Sequence, residues 1–329
     1  MQPNRNRSMR LLRSILLCTC VAASFCLSQP VEASSLPLPQ EVGAILDKIY
    51  SFDLDSAAQE AKQLQRDKPD HPVGYLLEGE ALWWRTWCLS ADYKWGMIDA
   101  RHRQKQPEDK HYFELATKAY SLSRAQIERG DSAEMQFFAG MADALAARLY
   151  GLRGENRATA RFGVRARQSF LRARELDPSL ADADFGIGLY NYYIDTLSSM
   201  AKMLRFFMGI PGGSKREGLR QLENAIAHGV LTPTIARIYL SLNLHRYDEK
   251  YARAIEVLGP VAAKYPGNPL FQLMLGDLAA KLGHKDKALQ HYRNAETLPV
   301  ADAECRARIQ TLAATASAAV TSGAAVHRD

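Results

Sequence analysis

The feature that most constrains the fold is a spacing. From Gly276 the chain places Gly283, Ala288, Tyr292, Ala295 and Pro299 at offsets of +7, +12, +16, +19 and +23. The order recurs upstream. Ala254, Leu258 and Pro266 repeat its second half, as do Ala166, Phe170, Ala173 and Pro178. Gly188 follows Pro178 by ten residues, and Gly79 follows Pro69 by ten, with Ala57 twelve before that proline. Gly140, within AEMQFFAGMADALAARL, is a further candidate glycine of the same kind. Small residues at helical spacing let two helices approach closely, the aromatic residue fills the gap between them, and the proline ends the second helix. Such a unit cannot bury its apolar face alone, so it stacks on copies of itself. Few segments alternate with period two, so almost no sheet is expected.

The pattern resembles the tetratricopeptide repeat (TPR), a helix–turn–helix unit of about 34 residues. The resemblance is specific over Ala166–Pro299 and looser over Leu46–Leu149. It implies an all-α, right-handed superhelical solenoid of about five to six hairpins, spanning 34–310, irregular over 40–165 and more regular over 166–300. Two units depart from the pattern. Gly140 precedes Ala166 by 26 residues and Gly188 precedes Gly218 by 30, so the first unit has longer helices or a longer loop. The second contains NYYIDTLSSMAKMLRFFMGIPGGSKREG. With NPLF at Asn268–Phe271, that segment is similar to exported bacterial TPR proteins of no assigned activity. More distantly it is similar to the eukaryotic inclusion-body-clearance TPR family, which implies lipid or protein-aggregate association and no catalytic residues.

At the start, Arg5, Arg7, Arg10 and Arg13 precede an apolar run, Ile15–Leu27, and Val31-Glu32-Ala33 offers a cleavage site. The run is too short to span a bilayer comfortably and suits a signal peptide over 1–33. The alternatives are an uncleaved anchor, or a lipoprotein, although Leu17, Thr19 and Phe25 fit poorly before Cys18, Cys20 and Cys26. Removing the leader takes away four arginines and one glutamate, and the net charge falls from +6 to +3. The basic balance is therefore weak evidence for nucleic acid, and none is expected as a partner. The remaining cysteines, Cys88 and Cys305, stand 217 positions apart. In an elongated solenoid they would lie too far apart to bridge, and buried free thiols are expected. DSAE at Asp131–Glu134 and SLAD at Ser179–Asp182 read as caps, and Thr232-Pro233 as a cap before an N1 proline. Residues 311–329 read as a flexible tail.

Motifs that carry chemistry are weak. Eight histidines are scattered, with His284 and His291 astride an expected turn, and no HExxH occurs. No metal or cofactor is expected. GIPGGSKREG at Gly209–Gly218 lacks the order and the preceding strand of a phosphate loop and reads as a glycine-rich turn between helices. Asp53/Asp55 and Asp182/Asp184 diverge at i,i+2, so capping and solvation are expected rather than paired acid–base work. Arg153, Arg157, Arg161 and Arg165 recur every four residues. They form either a patch for an anionic partner or a solvated face.

All four tryptophans lie in ALWWRTWCLSADYKWG: Trp83, Trp84, Trp87 and Trp95. The TPR resemblance implies that first helices line a concave groove. Carried over from the glycine of each unit, its lining is Leu76, Glu80 and Trp83, then Phe137 and Met141, then Phe185, Leu189 and Tyr192. Counting from Ala254 adds Tyr239, Asn243 and Arg246. Trp87 shares the face of Trp83 one turn on; Trp84 packs in the hairpin, and Trp95 caps the groove end. The alternative is that all four tryptophans are core. A groove so apolar favours an amphipathic helix, an extended apolar peptide or a lipid-like ligand. Asn243 and Arg246 would set register. The expected function is a non-catalytic scaffold of the bacterial envelope, periplasmic or envelope-associated, binding a protein or peptide. The alternatives are a lipid- or membrane-associated assembly factor using Met203–Ile210, and a hydrolase of envelope material. The sequence sets no oligomeric state.

Overall fold

A computed structural model describes residues 36–207 and 209–323. The expected leader, with Cys18, Cys20 and Cys26, lies outside the described residues, as do Met208 and residues 324–329. Ser34–Asp329 forms one compact unit by itself. Among the described residues the chain is an all-α helical-repeat solenoid of fourteen helices. They are α1 (Glu41–Tyr50), α2 (Leu54–Asp67), α3 (Val73–Ser90), α4 (Asp109–Arg129), α5 (Ala133–Arg153), α6 (Asn156–Leu176) and α7 (Ala183–Thr196). After them come α8 (Ser199–Phe207), α9 (Lys215–His228), α10 (Pro233–Arg246), α11 (Tyr251–Lys264), α12 (Pro269–Lys281), α13 (Lys285–Thr297) and α14 (Ala303–Ser322). Packed partners run α1–α2, α3–α4, α5–α6, α7–α9, α10–α11 and α12–α13, so six hairpins follow one another. One sheet element interrupts them. β1 (Ala91–Lys94) and β2 (Met97–Ala100) form an antiparallel hairpin between α3 and α4, pairing Ala91 with Ala100 and Lys94 with Met97.

The spaced small residues act as their pattern requires. Ala57, Ala166, Ala173, Ala254, Ala288 and Ala295 are all buried. A Cβ on Gly276 would stand 2.4 Å from the Tyr292 ring, so the glycine of α12 makes the seat for the tyrosine of α13. At Gly188 and Gly218 the backbones of α7 and α9 cross directly: a Cβ on either would meet the other's carbonyl oxygen within 3 Å. The two long intervals resolve differently. Between Gly140 and Ala166 the helices themselves are long, 21 residues each in α5 and α6. Between Gly188 and Gly218 an extra helix, α8, is inserted, and the glycine-rich turn joins it to α9.

Several local expectations hold and others need correction. Ser132 caps α5 by accepting from Met135 N. Pro233 occupies the first turn of α10. Asp182 stands at the N-cap position of α7, but its side chain makes no capping bond. It is buried and instead collects the amides of Val230, Leu231 and Thr232 and the Thr232 hydroxyl at 2.7–2.9 Å, fixing the α9–α10 turn. Asp184 is buried as well, bonded to Asn224 at 2.6 Å and facing Arg174 at 3.3 Å, so this pair is not solvated. His284 and His291 do not straddle a turn: one is the N-cap of α13 and the other lies within it. Residues 311–322 are not a tail. They belong to α14, which buries Leu312, Ala313, Ala316 and Val320.

The largest departure concerns Cys88 and Cys305, which form a disulfide with Cα atoms 5.8 Å apart. The expectation of distant free thiols assumed an open, elongated solenoid. Here the first helices meet the last: α3 packs on α14, β1 on α14 and β2 on α12. Arg85 of α3 reaches Asp302 at 2.6 Å, and Arg308 of α14 donates to the Ala91 carbonyl at 2.8 Å. Tyr265 bonds Asp47 at 2.6 Å, and Asn268 donates to the Tyr50 carbonyl at 2.9 Å. Trp84 stands edge-on to Phe271, 6.1 Å between ring centroids.

Candidate functional site

Several of the residues expected to line a groove converge on a common interior. Glu80 of α3 accepts from Arg148 of α5 at 2.7 Å, and Arg148 donates in turn to Tyr239 of α10 at 3.3 Å and Tyr112 of α4 at 3.1 Å. The same guanidinium lies over the Trp83 ring, 4.3 Å from its centroid. Burial disfavours its charge, but the Glu80 carboxylate and the surrounding phenols outweigh that and hold it protonated. About two turns further along α10, Arg246 pairs with the buried Asp99 of β2. Phe185 packs on Tyr239, 6.0 Å between centroids, and the Tyr192 hydroxyl donates to the Asn243 carbonyl at 3.2 Å.

That interior is filled by the chain itself. Leu76, Trp83, Trp87, Phe137, Phe185, Tyr192 and Asn243 are buried, while Glu80, Met141, Leu189, Tyr239 and Arg246 are half-buried. None of the twelve offers an open aromatic wall, because α5, the β-hairpin and α14 pack against α3. Trp83 faces inward as expected but lies under Arg148. Trp84 is core, as expected. Trp95 departs from the reading of all four tryptophans as core. It sits at the hairpin tip with φ of 56° and is exposed. Arg148 was not among the expected residues, yet it is the hub. Its signal was present, since it lies seven residues after Met141 on the same face of an α5 about two turns longer than the 13- or 14-residue helices of the later hairpins.

The arginine row is divided by the fold. Arg153 is buried and grips both carboxylate oxygens of Asp109 at 2.7 Å, with its remaining nitrogen on the His102 carbonyl at 3.0 Å. It therefore serves to fix the start of α4 and cannot join a surface patch. Arg165 is committed to the buried Asp143 at 3.0 Å and lies over Tyr120. Only Arg157 and Arg161 remain exposed, beside an open cleft of about 580 Å³ that also holds Glu155 and Asn156.

A second cleft, about 460 Å³, lies among α2, α3 and α4 and includes Lys62, Tyr75, Glu78, His111 and Lys118. The buried Glu78 carboxylate takes Gln65 at 2.7 Å and His111 at 2.8 Å. Two other buried acids are tuned strongly. Asp277 accepts from Ile98 N at 2.6 Å and from the Tyr292 hydroxyl at 2.8 Å. Burial raises its carboxyl to about 7 against those two bonds. Burial likewise raises Asp143 to about 7 against the attraction of Arg165. Each ties secondary-structure elements together. Among the described residues no cluster of three or more His, Cys, Asp or Glu is placed to hold a metal ion, and no helix is long and apolar enough to cross a membrane.

On the outside, α8 presents apolar side chains. Met203 and Phe206, three apart and so on one face of the helix, are 54% and 76% exposed. Lys202 bonds Asp195 at 3.0 Å, and Arg205 donates to the Ile210 carbonyl at 2.8 Å, tying the helix to its own loop and to α7. Comparison with protein-family models and with curated proteins finds no match for the chain.

Proposed function

We propose that this chain is an exported, TPR-like binding scaffold of the bacterial envelope that recognises an apolar or amphipathic partner and carries out no reaction itself. The observation that carries the reading is the distribution of apolar surface. The inner face is packed with the chain's own aromatic residues, while Met203 and Phe206 stand outside on an inserted helix. Exposed large apolar side chains grouped on one element mark sites of interaction. The disulfide supports export, since such bonds persist in oxidising compartments. It also supports recognition by a rigid, preorganised body, which lowers the ordering cost of binding. The inward-facing acids favour a scaffold over a hydrolase. Glu80, Asp182, Asp184 and Asp277 are each committed to bonds that join helices or turns.

The test is crosslinking of the disulfide-bonded chain in its native envelope, beside the Cys88→Ala/Cys305→Ala variant. A partner captured by the closed chain supports recognition on the outer surface. A partner captured only by the variant would mean that the seam contacts alone do not hold the body closed, and would return recognition to the inner groove of Trp83, Tyr192 and Tyr239. Turnover of an envelope substrate, abolished by a point change at Glu78 or His111, would overturn the scaffold reading.

A further inference from the structure

Seven large apolar side chains among the described residues are at least a third exposed; contacts link two of them, Trp95 and Tyr247, to the anchor of α8, on and beside which three more stand. The track of contacts begins at Trp95, 51% exposed at the hairpin tip, with the Lys94 ammonium 4.4 Å and the Arg101 guanidinium 5.2 Å from its ring. Arg101 faces Asp99 at 3.9 Å, and Asp99 pairs with Arg246, whose guanidinium lies 5.7 Å from the ring of Tyr247. Tyr247, 41% exposed, packs edge-on to Tyr193 near the end of α7. Two residues on, Asp195 takes both the Lys202 ammonium and the Lys215 amide, which anchors α8 and the start of α9 at the same place. Leu197, Met203 and Phe206 complete the track.

Basic groups outnumber acidic ones along this track, although Asp99 pairs with Arg246, Asp195 with Lys202 and Asp248 with Lys215. Residues 199–216 contain Lys202, Arg205, Lys215 and Arg216 and no Asp or Glu. An amphipathic helix with lysine and arginine beside its apolar face suits an anionic bilayer. There the apolar face enters the headgroup–acyl boundary while the cations stay with the headgroups. Tryptophan and tyrosine at the margins suit the same boundary, having an apolar body and a polar edge.

We propose that this edge docks on an anionic bilayer surface, with Met203 and Phe206 entering the acyl boundary and Tyr247 and Trp95 lying at headgroup level. The inference rests on the binding-scaffold reading above and deepens it by naming lipid as the partner.

The test is flotation of the disulfide-bonded chain 34–329 with vesicles of phosphatidylcholine alone and of phosphatidylcholine mixed with phosphatidylglycerol. The expected result is flotation on the mixed vesicles only, weakening as salt is raised. The Met203→Ser/Phe206→Ser variant alters only exposed side chains, so it should keep its disulfide and helicity while partitioning falls at least about tenfold. Trp95 gives a second readout, because Trp83, Trp84 and Trp87 are buried: a blue shift of emission on adding mixed vesicles reports its entry into the interface. Absence of flotation on the mixed vesicles overturns the lipid inference, and equal flotation of the variant overturns its assignment to this edge. If flotation fails while crosslinking still captures a partner in the envelope, only the lipid inference falls. If both fail, the scaffold reading falls with it.

Discussion

Removing the Cys88–Cys305 bond should destabilise the chain strongly without changing its fold. The bond closes a loop of 217 residues. In the chain-entropy treatment, freeing a loop of that length returns about 18 cal/mol/K to the unfolded ensemble, or about 5 kcal/mol at 25 °C. That figure is an upper bound, because the unfolded chain keeps residual structure. Five polar contacts cross the same seam independently: Arg85 with Asp302, Arg308 with the Ala91 carbonyl, Tyr265 with Asp47, Asn268 with the Tyr50 carbonyl, and Ile98 with Asp277. The reduced chain should therefore remain closed at 25 °C. An unfolding entropy of about 2.1 cal/mol/K per residue over the described chain converts a loss of about 3–5 kcal/mol into a fall in Tm of roughly 5–8 °C. The assay is thermal and urea unfolding of the oxidised chain 34–329, the same chain with reductant, and Cys88→Ala, Cys305→Ala and the double variant. Each single change should cost nearly as much as both, since either removes the whole bond. Midpoints that differ by less than about 1 °C between oxidised and reduced chain would refute the closed solenoid as described here.

Three further outcomes follow from the interior. Arg148→Met leaves the Glu80 carboxylate inside without its partner and should cost about 3 kcal/mol in urea unfolding, with Glu80→Gln in the same chain restoring part of the loss. Asp277 carries a folded value near 7 against an ordinary 3.8. The folded state thus binds the extra proton between those limits, and this stabilising contribution is present at low pH and lost as pH rises through about 7. Asp277→Asn, whose amide oxygen still accepts from Ile98 and whose NH2 donates to Tyr292, should remove up to about 1.4 kcal/mol per pH unit from the stability slope between pH 4 and 7. An unchanged slope would refute the buried, protonated acid. Gly188→Ala, with its Cβ 2.9 Å from the Gly218 carbonyl, should cost about 1–3 kcal/mol. Gly163→Ala in α6, with nothing within 4 Å, should instead stabilise by about 0.5–1 kcal/mol in the same thermal assay.

Local spacing determined much of this protein. The residues that let helices touch, Gly276 against Tyr292 and the buried alanines of α6, α11 and α13, are separated by fewer than one repeat, so a periodic sequence displays them directly. The inward direction of Glu80, Trp83, Tyr239 and Arg246 was legible for the same reason, because it follows from position on a helix of known register. What those side chains meet was decided only by the tertiary structure. Arg148 covers Trp83 and Arg153 clasps Asp109 across intervals set by how whole helices pack. Asp182, which reads locally as a cap, turns instead to amides some fifty residues away. The pairing of Cys88 with Cys305 depends on the path of every intervening helix, since small rotations between successive hairpins accumulate along a solenoid. Periodicity fixes each hairpin and its inner face, whereas the summed rotation decides whether that face becomes an open groove or, as here, the core of a closed body.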